Sequence, residues 1–158
     1  MKIKYYQNKN LQFYKEPCLF IATNTCDFKC NIGCQEPVCN YYELACMDDE
    51  KIFAFDLCNA FIHNDETKAV VFGGLEPLMS LDYILTFLRL FRENFKCDDV
   101  VVIYSGYEKS EVLDKIEQLK SFPNIIMKFG RKLKNQSKKF DELLGVYIDE
   151  NQYTERIS

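Results

Sequence analysis

The sequence contains no tryptophan, a single histidine, four prolines and six glycines in 158 residues. With His63 as the sole imidazole, a zinc finger with paired histidines and an HExxH metalloprotease site are both excluded. No apolar run approaches the roughly 20 residues needed to cross a bilayer, so no membrane partner is expected. The opening MKIKYYQNKN lacks the apolar stretch and small-residue cleavage site of a secretory signal, and a cytoplasmic location is expected. An excess of positive charge is missing as well. Twenty Lys and Arg against 24 Asp and Glu leave a net charge of −4, which argues against nucleic acid as the main partner.

What is present begins with a core. Apolar residues make up 47% of the chain and charged ones 28%, a composition that folds rather than one that stays disordered. The length fits one domain spanning 1–158. Eight cysteines are the anomaly. Without a secretion signal, clustered thiols point to a metal centre rather than to a disulfide framework. Cys26, Cys30, Cys34 and Cys39 crowd one short stretch, whereas Cys18, Cys46, Cys58 and Cys97 are scattered among apolar residues, as small hydrophobes would be.

The pattern along the chain predicts alternating strands and helices. After a polar start, PCLFIATNT reads as a buried strand running into the cysteine loop. Phe53, Leu57, Ala60 and Phe61 mark a short helix, and KAVVFGG a strand closed by glycines. Ser80 is placed to cap an amphipathic helix carrying Leu81, Ile84, Leu85, Leu88, Phe91 and Phe95 on one stripe. DDVVVIYSG is a strand, Ser110 opens a helix with Leu113, Ile116 and Leu119, NIIMKFG is another strand, and LLGVYI is the last. The expected fold class is α/β, a single domain shaped as a partial (βα) barrel, with a mostly parallel sheet and helices outside. The basic stretch from Lys128 to Lys139 is expected to be a solvated loop, or else a docking surface for an acidic partner.

Ligands of such sheets bind beyond the carboxyl ends of the strands. The cysteine loop, the Gly73–Gly74 turn and the Tyr104-Ser105-Gly106-Tyr107 turn all follow predicted strands, so they should share one edge. In CDFKCNIGC three thiols fall four residues apart, close enough to converge on one centre at small ordering cost. A 4Fe-4S cluster on Cys26, Cys30 and Cys34 would leave one iron open, since four thiolates normally close it. Structural zinc on those three and Cys39 is the competing reading. It is disfavoured because structural zinc sites usually use two separated pairs. Glu76, in GGLEP, offers a carboxylate that can accept hydrogen bonds from an ammonium group. The plainer reading of GGLEP is a strand-to-helix turn opened by Pro77.

CDFKC followed by GGLEP resembles the radical S-adenosylmethionine superfamily, whose signature is Cys-x-x-x-Cys-x-x-Cys after one strand and a GGEP-like turn after the next. Two departures are visible: Leu75 is inserted in the glycine turn, and Cys30 and Cys34 stand one residue further apart than usual, leaving Cys39 as the fallback third ligand. Within that superfamily the length, VVIYSGY, IMKFGRKLKNQ and NQYTERIS resemble the activating proteins of anaerobic ribonucleoside-triphosphate reductase. The resemblance implies a 4Fe-4S cluster and S-adenosylmethionine as cofactors. It implies a 5′-deoxyadenosyl radical that installs a glycyl radical on the large subunit of the anaerobic ribonucleotide reductase. It also implies a flavodoxin- or ferredoxin-like electron donor. By matching positions, Gly73, Gly74 and Glu76 would contact the methionine part of the cofactor, and Ser105 and Gly106 the adenosyl side. Activation of another glycyl-radical enzyme, or a non-catalytic zinc-binding interaction module, are the alternatives.

Overall fold

The structure is a computed structural model and describes residues 1–29 and 41–158. Strand β1 (Lys2–Asn10) pairs antiparallel with β2 (Cys18–Thr23). Helix α1 (Tyr41–Cys46), the short strand β3 (Glu50–Lys51) and helix α2 (Ala54–Ile62) follow the cysteine loop. Then β4 (Ala69–Gly74), α3 (Leu81–Arg89), β5 (Val100–Tyr104), α4 (Leu113–Leu119) and β6 (Ile125–Phe129) alternate. A hairpin of β7 (Lys138–Asp141) and β8 (Val146–Asp149) forms its own two-stranded sheet, and β9 (Tyr153–Arg156) returns to the main one. The main sheet runs β3-β1-β2-β4-β5-β6-β9. Its centre, β2 through β6, is parallel, and β1 and β9 flank it antiparallel.

The apolar runs explain this order. Every residue of β2 and of β6 is buried, as strands covered on both faces must be. Alternate residues feed two separate cores. Leu19, Ile21, Phe72, Ile103 and Met127 meet the buried stripes of α2, α3 and α4. Phe20, Val71, Val102 and Ile126 point the other way, onto Tyr14, Leu144 and Ile148. On the helix side, Phe72 packs edge-on to Phe87 at 5.2 Å, Phe87 lies 5.1 Å from Phe91, and Phe61 is edge-on to Phe91 at 5.1 Å. Aromatic contacts of this kind add about 0.5–1.5 kcal/mol each beyond area burial. The α/β class and the mainly parallel centre are as expected. The strands form an open sheet, and no barrel is closed.

Several local expectations are corrected. The polar start is strand β1, unreadable as such because only Ile3, Lys4 and Asn10 are buried. Lys4 earns its place by reaching the Ala45 and Met47 carbonyls and pairing with Asp49 at 2.9 Å. Ser80 makes no side-chain cap; instead Glu76 accepts the Leu78 N–H at 3.0 Å, and Pro77 opens a 3₁₀ turn (Pro77–Ser80) that leads into α3. A π turn (Leu90–Asn94) ends α3 and moves Phe95 off the buried stripe, onto Phe55 at 5.2 Å. Ser110 opens nothing: Glu108 and Glu111 form the capping box, and Leu113 is exposed. LLGVYI is not the final strand; its Val146–Ile148 portion lies in the hairpin, and β9 ends the sheet. Cys18 and Cys58 are buried as expected, their thiols pushed up to about 12 by burial, but Cys46 is exposed.

One glycine is fixed by geometry alone. Gly74 has φ +82, and a Cβ there would lie 2.8 Å from Ala22 Cα in the neighbouring strand. Gly74→Ala is expected to cost about 2–3 kcal/mol from backbone strain and overpacking. Gly106→Ala, where the nearest atom would be Glu76 Oε2 at 3.4 Å, is expected to cost less than about 1 kcal/mol. Urea unfolding of the two variants checks the contrast.

Candidate iron–sulfur and ligand site

Parallel pairing in register brings the carboxyl ends of β2, β4, β5 and β6 to one edge. A cavity of about 310 Å³ opens there, on the face away from α2, α3 and α4. Cys26, Gly73, Gly74, Glu76, Ser105 and Gly106 all line it. The expected convergence of the three turns is therefore met for these six. Cys30 and Cys34, and the fallback Cys39, lie outside the described residues.

Cys26 follows β2 and is half-buried, its sulfur accepting the Phe28 N–H at 3.3 Å. Phe28 adopts φ +54, a left-handed conformation that a non-glycine residue takes only when its surroundings impose it. The next turn holds the loop from the other side. The Tyr107 hydroxyl donates to Asp27 Oδ2 at 2.7 Å, and Lys29 pairs with the same carboxylate at 3.2 Å. Burial works against ionising Asp27, but the Tyr107 and Lys29 hydrogen bonds outweigh it and hold its carboxyl below the usual range. Lys29 and Arg131 also stand 5.4 and 5.9 Å from the Tyr107 ring centroid. The residue directly after Cys26 is thus fastened to the turn after β5.

Glu76 sits deeper, 6% exposed. Oε1 accepts the Ser105 hydroxyl and the Leu78 N–H, each at 3.0 Å, and Oε2 accepts the Gly106 N–H at 2.7 Å. Burial raises its pKa; those three donors and the charge of Lys128 pull the other way. Most of its accepting capacity is therefore spent on the protein's own turns. The glycine pair likewise has a packing reason. A Cβ on Gly73 would meet the Phe20 ring at 2.7 Å, and one on Gly74 would meet β2.

Sequence reasoning missed the basic wall of the cavity. Lys128, Lys132 and Lys138 line it, although the stretch reads as a solvated loop. Lys128 is 8% exposed within β6, and Asp149, 2% exposed, pairs with Lys132 at 3.2 Å and with Lys138 at 2.5 Å. Arg131 forks onto Glu111 at 2.6 and 2.9 Å. Burial pushes Lys128 down to about 8, aided by Lys132 and Lys138 and opposed by Glu76 and Asp149. The missed signal was the strand itself: NIIMKFG puts Lys128 inside an apolar run.

The fold is an open α/β sheet whose carboxyl-end edge carries the Cys26 thiol beside a cavity. Residues 18–144 match the family described as a 4Fe-4S single cluster domain. The chain belongs to that family, and is an iron–sulfur protein. No curated protein and no solved structure matches it. The site fits such a group: Cys26 brings a half-buried thiol with an N–H donor on its sulfur, at the rim of a cavity, and two further thiols follow it in CDFKCNIGC. Among the described residues no helix is long and apolar enough to cross a membrane.

A lysine whose folded pKa lies below its ordinary value disfavours the folded state while protonated. As pH rises from about 8 to 10.5, the unfolded chain holds more protons than the native one, so this lysine makes stability rise with pH. The buried thiols of Cys18 and Cys58 act oppositely above pH 9, so the comparison must be between variants. Relative to Lys128→Met, the wild type is expected to gain up to about 3 kcal/mol across that window. Denaturant titrations of both proteins at several pH values measure the difference.

Proposed function

We propose that this protein is a radical S-adenosylmethionine activase that installs a glycyl radical on the large subunit of anaerobic ribonucleotide reductase. One observation carries the reading: the GGLEP turn and the Ser105–Gly106 turn are joined through the Glu76 carboxylate on the rim of the cavity that Cys26 lines. Cys26, Cys30 and Cys34 hold the 4Fe-4S cluster in this reading. When bound, the cluster supplies the electron, received from a flavodoxin- or ferredoxin-like donor in the cytoplasm, that splits S-adenosylmethionine into methionine and a 5′-deoxyadenosyl radical.

The chain's own residues position and shield. Gly73 and Gly74 keep the edge of β4 bare, so that a ligand can lie against backbone. Ser105 and Gly106 face the same space from β5 and take the adenosyl side. Glu76 contributes chiefly by fixing both turns in one geometry, and its remaining lone-pair capacity faces the methionine part. Tyr107, through Asp27, ties the start of the cysteine loop to the adenosyl side. Phe13, stacked on Phe20 at 4.5 Å, helps exclude water from the cavity's apolar floor.

Anaerobically purified protein is expected to contain iron and labile sulfide, and, once reduced, to convert S-adenosylmethionine to 5′-deoxyadenosine. Stoichiometric zinc without sulfide would sink the proposal. Replacing Cys26, Cys30 or Cys34 by alanine should abolish cleavage, while Cys39→Ala should spare it; the reverse outcome for Cys34 and Cys39 would reassign the third ligand. A glycyl-radical signal in the anaerobic reductase identifies the partner. Its absence alongside efficient cleavage would point to another glycyl-radical enzyme.

A further inference from the structure

The cavity carries charge that the cysteine and glycine turns do not use. Lys128 leaves β6 on the face away from the helices, beside the ring of Tyr104, whose centroid is 5.8 Å from its ammonium. It donates to the Gly130 carbonyl at 3.2 Å, which occupies one of its three N–H groups. No carboxylate among the described residues lies within ion-pair distance of it. The two acids whose charge reaches it are committed elsewhere: Glu76 to Ser105, Gly106 and Leu78, and Asp149 to Lys132 and Lys138. An ammonium buried without its own counter-ion is costly. Set in the wall of a cavity, it is the group an entering oxyanion would compensate.

We propose that Lys128, with Lys132 and Lys138 beside it, forms an oxyanion subsite that takes a carboxylate or phosphate of the molecule on which the protein acts. Position separates this anion from S-adenosylmethionine. The strand β6 is three strand spacings from β2, roughly 14 Å across the sheet edge. Cys26 follows β2, and in the function proposed above the methionine part of the cofactor lies at that end of the cavity, toward Gly73 and Gly74. The identity of the anion's owner rests on the function proposed above; the existence of the subsite does not.

Binding should follow the charge of Lys128. The groups facing it are Glu76 beyond β4, Tyr104 of β5, Asp149 of β8, and Lys132 and Lys138 before and within β7. Its ammonium form is held down to about 8 by burial, and an anion restores it. Affinity for acetate, whose own charge does not change in this range, is therefore level below about pH 8 and falls above it.

The test uses the full chain, cluster-loaded and anaerobic, titrated with inorganic phosphate and separately with acetate, against chloride at matched ionic strength. At least one oxyanion is expected to bind, and to protect Lys128, but not exposed Lys9 or Lys51, from acetic anhydride, as read by peptide mass. Whichever of the two binds names the group. Lys128→Met should weaken binding by at least about tenfold. The proposal is overturned if neither anion binds beyond chloride, if Lys128→Met binds as tightly as wild type, or if Lys9 and Lys51 are protected equally. Should Lys128→Met fail to fold, wild-type protection decides alone. S-adenosylmethionine cleavage in the same preparation separates the two readings. Anion binding without cleavage leaves the subsite and removes the radical function, and cleavage without anion binding does the opposite.

Discussion

The buried carboxylate of Glu76 is the interaction on which the ligand edge depends. It closes the turn after β4 by accepting the Leu78 N–H, and it closes the turn after β5 by accepting the Ser105 hydroxyl and the Gly106 N–H. Without it, three donors at the ends of two strands would be left without their acceptor, at about 1–3 kcal/mol for each one that stays buried and unsatisfied. Its burial raises its pKa, and the donors counteract that rise. One side chain thus converts two adjacent strand ends into a single rim. Tyr107 extends the same rim to Asp27, and so to the residue that follows Cys26. The Glu76 N–H also donates to the Thr25 carbonyl at 2.8 Å, which ties the same turn to the backbone just before Cys26.

The sheet divides its work by face. Toward the helices it buries large side chains in a continuous core, and the Phe72, Phe87, Phe91 and Phe61 rings carry contact from β4 through α3 to α2. Toward the other side it is covered by the segment carrying Phe13 and Tyr14 and by the hairpin, whose Leu144 and Ile148 reach the strands. Among the described residues the cavity opens beside that second cover. The apolar part of the cavity wall comes from this thinner core, and the polar part from the strand ends. A chemistry that must exclude water while admitting a charged molecule requires both.

The basic stretch shows how tertiary structure reassigns charge. Read along the chain, Lys128 to Lys139 is a run of cations. In the fold Arg131 forks onto Glu111, Lys132 and Lys138 clasp Asp149, and Lys139 caps the Glu150 carbonyl. Burial would favour the neutral form of Asp149, but its two lysines keep its pKa low. Among the described residues Lys128 faces the cavity without an ion pair, so the solvated-loop reading holds for the half-exposed and exposed residues 131–137 and fails at Lys128, which lies buried in β6.

The parallel centre and the shared edge were legible in the amino-acid pattern alone. VVIY, IIMKF and CLFIAT are dominated by apolar residues, with Lys128 and Thr23 their polar members, and runs of that kind favour strands lying between two covered faces. Because each is followed by a turn rich in small or polar residues, the cysteine, glycine and serine turns had to gather at the carboxyl ends. The thiol spacing likewise made a metal centre legible before any geometry. Folding across the sheet supplied what no local pattern encodes. It made a strand of the polar first residues, because pairing with β2 supplies hydrogen bonds that composition does not advertise. It gave Glu76 to Ser105 and Gly106, some thirty residues away in the chain, and left Lys128 with no ion pair among the described residues. Those partnerships depend on distances across the sheet, which only the register of its strands fixes.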